Sequence, residues 1–335
     1  MFSKIFIEEE LLLNNDYKNQ IDNILSRHSS TPTETIRRYD DIFGKVKKPY
    51  LQKRDSLQLF IAAKRGNKVK IAPDAYGLSG EPHYYFIHFL NCPYECQYCY
   101  LQAHFDSPDL VLFINIDEIL SEIEEIIRQT NGPVWFHAGE FSDSLALSHL
   151  SGELPKLFSF FRKHPQAKLE LRTKSANTRE LLKENPCDNI ITSFTLTPEK
   201  ESKEIDLKAP PTATRIKAIQ KLVEKSFPIG IHFDPIIWSP SFAEDYTRLI
   251  NDLEKVVPLN SIEYYSMGVV RFPPQLYSAV EKNYADASFL HHPFVKSFDN
   301  KKRYSRPLRG HILRTVKSLL MEKGVDDHKI YLCME

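Results

Sequence analysis

Asn91-Cys92-Pro93-Tyr94-Glu95-Cys96-Gln97-Tyr98-Cys99-Tyr100-Leu101-Gln102 sets three thiols at spacings of four and three residues. Thiolates spaced this way wrap one cube of iron and sulfide from a single loop. Three ligands for four irons leave one iron open, so a substrate or cofactor can bind the metal there. The competing reading is zinc, with His104 completing Cys96-x2-Cys99-x4-His104. A zinc knuckle would need a further cysteine, and position 109 is Asp. Tyr98 and Tyr100 flank the last cysteine, where aromatics shield a cluster, pack on an adenine, relay an electron or hydrogen atom, or simply fill space.

Outward from this loop the pattern is regular. β-Rich runs are expected at 83–89, 133–138, 168–174, 190–197, 228–237 and 261–270, and the cysteines follow the first. Helical patterns lie between most of them, at 117–130, 152–164, 178–185, 212–226 and 241–256. In the first, Ile119, Leu120, Ile123, Ile126 and Ile127 recur at helical spacing with glutamates between them. Strand–helix alternation implies parallel strands joined by right-handed crossovers. Six repeats are too few for a closed eight-fold barrel and fit an α/β partial barrel of six βα units. A doubly wound open sheet uses the same units in another strand order. Residues 1–80 read as an N-terminal lobe with a helix at 15–27 and a basic stretch of Lys64, Arg65, Lys68 and Lys70. The barrel is expected over 81–274 and a C-terminal extension over 275–335.

Composition narrows the class. Of 335 residues, 42% are apolar and 26% charged, with formal net charge zero. This describes an ordinary globular chain, with no uniform electrostatic grip on nucleic acid or membrane. No apolar run reaches the ~20 residues needed to cross a bilayer, and the N-terminus lacks the marks of a signal peptide. Five cysteines with three clustered point to a metal site in a reducing compartment, with cytoplasm as the expected location.

Cys-x3-Cys-x2-Cys after the first strand of six βα units resembles the radical S-adenosylmethionine superfamily. That resemblance implies a 4Fe-4S cluster on Cys92, Cys96 and Cys99, with S-adenosyl-L-methionine chelated to the open iron. One electron then breaks its sulfonium C–S bond and yields a 5′-deoxyadenosyl radical. A flavodoxin- or ferredoxin-type reductase is implied as electron donor. Within the superfamily the string Cys96-Gln97-Tyr98-Cys99-Tyr100-Leu101-Gln102 is similar to the spore photoproduct lyase family. Similar stretches are 115–119, 136–143, 171–174, 271–272, 280–284 and the opening Ile5-Phe6-Ile7-Glu8. The resemblance implies reversal of a thymine photoproduct, with damaged DNA as partner. Alternatives are a radical reaction on another substrate, or a binding or sensing protein that uses the cluster without turnover.

Two positions depart from the family. Glu140 stands where the family places a cysteine that returns hydrogen to the thymine radical, and Arg309 stands at a tyrosine of its relay. Gly139-Glu140 instead resembles the Gly-Glu motif by which radical enzymes hold the cofactor's ammonium, a charge-assisted bond. Ser142 belongs to the same turn; alternatively, Ser142 and Asp143 satisfy free amides at a helix start. Lys174, at the end of the third strand, by resemblance pairs with the cofactor carboxylate, against a solvated surface role. Thr195 and Thr197 are candidates for its ribose or carboxylate, against a plain strand role. Arg215, in an amphipathic helix, either reaches the same carboxylate or lies on a solvated face. His232 and Asp234 alternate with apolar neighbours on the fifth strand and should face a lumen, where they either line the substrate side or form a satisfied core pair, the more common outcome for such an alternation. Cys333 is a candidate hydrogen donor replacing the missing one, while Cys187 reads as structural. Lys301-Lys302-Arg303-Tyr304-Ser305-Arg306, with Arg309 and Arg314, is the strongest basic cluster and a candidate DNA contact.

Overall fold

The computed structural model describes residues 2–51, 56–73 and 80–333. Six parallel strands, His83–Phe86, Val134–Ala138, Ala167–Thr173, Ile190–Thr195, Ile229–Ile236 and Tyr264–Val269, lie side by side in chain order. A doubly wound sheet would reverse direction at its first strand. This sheet does not reverse within the six βα units, so they form the partial barrel. Helices Ile116–Gln129, Leu154–Arg162, Thr212–Val223 and Phe242–Glu254 make the crossovers. In the first, Ile116, Ile119, Leu120, Ile123 and Ile127 are buried, while Asp117 and Glu118 sit in the first turn where the helix dipole favours negative charge.

Some expected elements change. The helix at 178–185 is only a 3-10 turn, Leu181–Lys183. A segment this short cannot repay helix nucleation, and Pro186 forbids helical backbone just before it. Two elements enter unannounced after the fourth strand. Helix Glu199–Ile205 leads to Asp206–Leu207, which pairs antiparallel with Glu95–Cys96 of the cysteine loop.

The expected segment boundaries are crossed at both ends. The barrel sheet takes Val69–Ile71 antiparallel on its first strand and Ile330–Leu332 parallel on its sixth. The N-terminal sheet runs Thr33–Ile36, Phe2–Glu8, Leu57–Ala62, Leu110–Phe113, Phe89–Leu90, so its last two strands come from beyond residue 81. Exposed strand edges carry unpaired backbone groups, and here distant segments cover them. In the lobe, Asn14 caps helix Asn15–Ser26 by accepting from the Asp16 and Tyr17 amides. Two of the four residues of the basic stretch are paired: Arg65 binds buried Glu8 at 2.9 Å and Lys68 meets Glu118 at 3.4 Å. Among the described residues no helix is long and apolar enough to cross a membrane.

Candidate active site

The cysteine loop is pinned from several sides. Its entry is fixed by Asn91, in left-handed conformation with φ 64°, whose amide donates to the Ser107 and Asp109 carbonyls at 2.7 Å each. The Gln97 amide donates to the Ile205 carbonyl at 2.8 Å, and the Gln102 side chain donates to the carbonyls of Gln97 and Cys99. Buried Glu95 accepts from the Tyr284 hydroxyl at 3.0 Å. The loop is therefore held by the C-terminal extension as well as by the barrel.

Cys92, Cys96 and Cys99 are all free thiols and line one cavity of about 440 Å³, a size typical of small-molecule sites. Burial, then Asp206, pushes the Cys96 thiol well above its usual range. A bound metal would stabilise the thiolate at this position. His104, the fourth ligand of the zinc alternative, is absent from the lining of that cavity, and its ring stacks on Phe141 at 4.9 Å and meets Phe105 edge-on. Among the described residues no three His, Cys, Asp or Glu side chains gather around a point for a single ion. Three free thiols from one pinned loop, opening on a shared cavity, fit a cluster with one corner left for a ligand.

Tyr98, Tyr100, Gly139, Glu140, Ser142, Lys174, Thr195 and Cys333 line the same cavity. Gly139 ends the second strand with φ +90°, and a Cβ there would lie 2.7 Å from Ser144 Oγ and 3.2 Å from the Arg172 carbonyl oxygen. Gly139→Ala therefore meets left-handed strain, a clash with the Ser144 side chain and tight contacts with backbone. A loss of about 2–4 kcal/mol of unfolding free energy is expected, measurable by urea titration. The Ser142 hydroxyl is buried without a hydrogen-bond partner among the described residues. Asp143 fills the capping role instead: one oxygen accepts from the Leu145 and Ala146 amides and the Thr173 hydroxyl, the other from the Lys174 amide at 2.6 Å. It ties the turn after the second strand to the end of the third.

Lys174 Nζ lies 5.5 Å from the centre of the Tyr98 ring. Burial works against its charge, but Cys96 and Asp206 outweigh that and raise the ammonium above the usual lysine range. Tyr100, partly exposed, donates its hydroxyl to the Glu140 carbonyl. The Tyr98 hydroxyl donates to Asp206 at 2.6 Å.

Arg215 departs from both expectations. It is fully buried and absent from the cavity lining. Its guanidinium pairs with Asp206 at 2.8 Å and donates to the carbonyls of Thr195, at 3.0 Å, and Pro210, at 2.8 Å. Arg215 thus anchors the fourth-strand end and the carboxylate that holds Tyr98. Thr197 is likewise not in the lining, and its carbonyl accepts from Thr212.

Cys333, just past the edge strand Ile330–Leu332, is held by its amide donating to the Met267 carbonyl at 2.8 Å. Its thiol faces Asp234, Arg172 and Arg271; burial, then Asp234, pushes it up to about 12. A thiol in this setting keeps its hydrogen at neutral pH. Arg271 meets Asp234 at 3.7 Å. Cys187 instead donates to Asn189 away from the lining, as a structural residue would.

A hub in the lumen was not anticipated. Glu170, fully buried on the third strand, accepts from Ser193 and His232 at 2.7 Å, Tyr264 at 2.5 Å, Arg172 at 2.9 Å and His137. His137 in turn meets His83 at 2.8 Å. Burial opposes the Glu170 charge, yet Arg172, His137 and His232 outweigh it and hold the carboxyl well below its usual range. The signal was present in Leu169-Glu170-Leu171-Arg172, a polar–apolar alternation on a strand with helices behind it.

The basic cluster is divided. Lys301 lines the cavity and Arg306 and Arg314 are exposed, but Arg303 is buried against Asp299. Tyr304 is fully buried, accepting from the Trp238 amide, so it offers no face to a base. Arg309 donates to the Tyr304 carbonyl at 2.8 Å, a structural use of that position.

A three-cysteine loop opening into a six-stranded partial barrel defines the radical S-adenosylmethionine fold. The family model "Spore photoproduct lyase" matches residues 79–302, and the chain belongs to that family. It is 25% identical over 199 residues to spore photoproduct lyase of Bacillus subtilis (strain 168), covering 58% of each chain. Against the Clostridium acetobutylicum enzyme it is 24% identical over 162 residues, covering 48% of each. The chain thus aligns with about half the length of these curated relatives. Solved spore photoproduct lyase with dinucleoside spore photoproduct matches at TM-score 0.83 and 16% identity, over 99% of this chain and 98% of that one. A double mutant with bound AdoMet and the same dinucleoside matches at TM-score 0.82, with the same identity and coverage.

Proposed function

We propose that this chain is a radical S-adenosylmethionine lyase that reverses a thymine photoproduct in DNA. The observation that carries the reading is one cavity lined both by the three cluster-type cysteines and by a buried thiol, Cys333. Cys92, Cys96 and Cys99 would hold a 4Fe-4S cluster. That group, when bound, supplies the electron that cleaves S-adenosylmethionine to a 5′-deoxyadenosyl radical.

The chain's own residues bind, orient and exclude water. Glu140, beside the glycine that lets backbone approach, pairs with the cofactor's ammonium, and Lys174, kept charged, pairs with its carboxylate. Ser142 and Thr195 offer hydroxyls to the same ligand. Tyr98 and Tyr100 wall off the loop. Cys333 donates a hydrogen atom to the substrate radical: the S–H bond breaks as the C–H bond forms, and the unpaired electron stays on sulfur. Lys301, Arg306 and Arg314 suit contact with DNA phosphates. A flavodoxin- or ferredoxin-type protein would reduce the cluster, in the cytoplasm.

Reconstitution with iron and sulfide under anaerobic conditions, followed by reductant, should give 5′-deoxyadenosine and restore thymine in photoproduct-bearing DNA. Zinc in the purified protein, or no restored thymine, would refute the respective halves of this reading. Cys333→Ala is expected to leave 5′-deoxyadenosine release within about twofold of wild type while derailing product formation; an unchanged product profile assigns the hydrogen donor elsewhere. A second reading, another substrate for the same radical, is favoured by Glu140 at the family's cysteine position. It predicts 5′-deoxyadenosine without thymine.

A further inference from the structure

His232 projects from the fifth strand into the lumen and lines the cavity together with Asp234 and Cys333. Only 2% of its surface is exposed, and its single hydrogen bond among the described residues runs from Nε2 to Glu170 at 2.7 Å. An ionised carboxylate only accepts, so Nε2 carries the hydrogen. Burial, then Arg172, keeps the ring from becoming cationic. The other ring nitrogen, Nδ1, is then a lone-pair acceptor, and nothing in the described chain donates to it. The remaining charged and titratable neighbours, Arg172, Asp234 and Tyr264, are engaged with Glu170 or Arg271.

We propose that His232 is a specificity residue, whose Nδ1 accepts a hydrogen bond from the imide N–H of a thymine-derived base in the cavity. This deepens the function proposed above and rests on it for the identity of the base. The ligand must bring a donor, and thymine carries one at N3. Cytosine presents a lone pair at the same ring position, so a cytosine-derived lesion would set acceptor against acceptor. Sites built to meet a polar group reject analogues that lack it far more strongly than apolar pockets reject a change of size. Glu170 is the positioning residue: by accepting from Nε2 it fixes the tautomer that leaves Nδ1 open.

The test uses the cluster-loaded, unreduced protein and measures equilibrium binding of a dinucleoside thymine photoproduct and its N3-methylated analogue. His232→Gln keeps an N–H for Glu170 and withdraws the acceptor from the Nδ1 position, leaving as its only acceptor the amide oxygen on the carbon that carries that N–H. It should bind the unmethylated photoproduct about tenfold more weakly than wild type. Methylation should cost wild type about tenfold and cost H232Q no further loss. Equal methylation penalties in the two proteins overturn the proposal, whereas a general packing defect would lower both affinities in parallel. If wild type binds no photoproduct, the function proposed above fails; the ring is then read directly by imidazole 15N spectra of histidine-labelled protein. A resonance assigned through H232Q that reports a neutral ring protonated at Nε2 upholds the acceptor, and one protonated at Nδ1 overturns it.

Discussion

Cys96→Ala protein, reconstituted with iron and sulfide without oxygen, is expected to show no cluster absorption and at least about a 1,000-fold drop in 5′-deoxyadenosine release, because losing a ligand removes the electron source and not one contact among many. Cys96 is the most telling of the three thiols. It is buried, and its backbone is locked to Asp206 by the antiparallel pair joining Glu95–Cys96 to Asp206–Leu207. Alanine keeps that backbone pair, so the fold should persist while the metal is lost. Iron analysis and circular dichroism on one sample separate the two. Retention of a full cluster by Cys96→Ala would move the metal site elsewhere. Cys333→Ala is the matching control, since it should retain the cluster.

The largest effect on stability is expected at a residue that touches no ligand. Arg215→Met should lower the free energy of unfolding by about 3–5 kcal/mol, because it strands the Asp206 carboxylate without its guanidinium partner in a fully buried site. The same change removes donors from the Thr195 and Pro210 carbonyls. Arg215→Met combined with Asp206→Leu should recover most of that loss, since an apolar pair avoids burying a lone charge. Urea unfolding of the four proteins of this cycle measures the coupling. Near-additive losses would mean that the pair is not the source of the stability. In the double variant the Tyr98 hydroxyl still lacks its acceptor. A site defect that persists after stability returns would therefore report on Tyr98.

Legibility differed by the range of the interactions involved. The barrel strands were readable because alternation along one strand is a local property: five lie within the runs expected for them, and the third, Ala167–Thr173, starts one residue early. The helix expected at 178–185 is only a 3-10 turn, because apolar spacing says nothing of the turn that Pro186 imposes. Arg215 was misplaced for a related reason. Helical periodicity assigns a charge to the wet face unless a partner is known, and its partner, Asp206, lies on a pair of residues not recognised as a strand. The Glu170 hub draws on the first six strands of the barrel, from His83 to Tyr264. Single polar residues on separate strands look unremarkable until the sheet brings them to one point.

By itself the sequence determined the cysteine spacing and the alternation of six βα units, because spacing within a loop and alternation within a strand are set by neighbours in the chain; the strand order came from the sheet. Tertiary structure alone decided that Cys333 enters the cavity, through a parallel edge strand formed by the last described residues. It also decided that Arg215 turns inward and that His232 presents an unpartnered nitrogen. The physical reason is common to all three. A thiol, a guanidinium and an imidazole take their chemical character from burial and partners, and those come from segments far away in the chain.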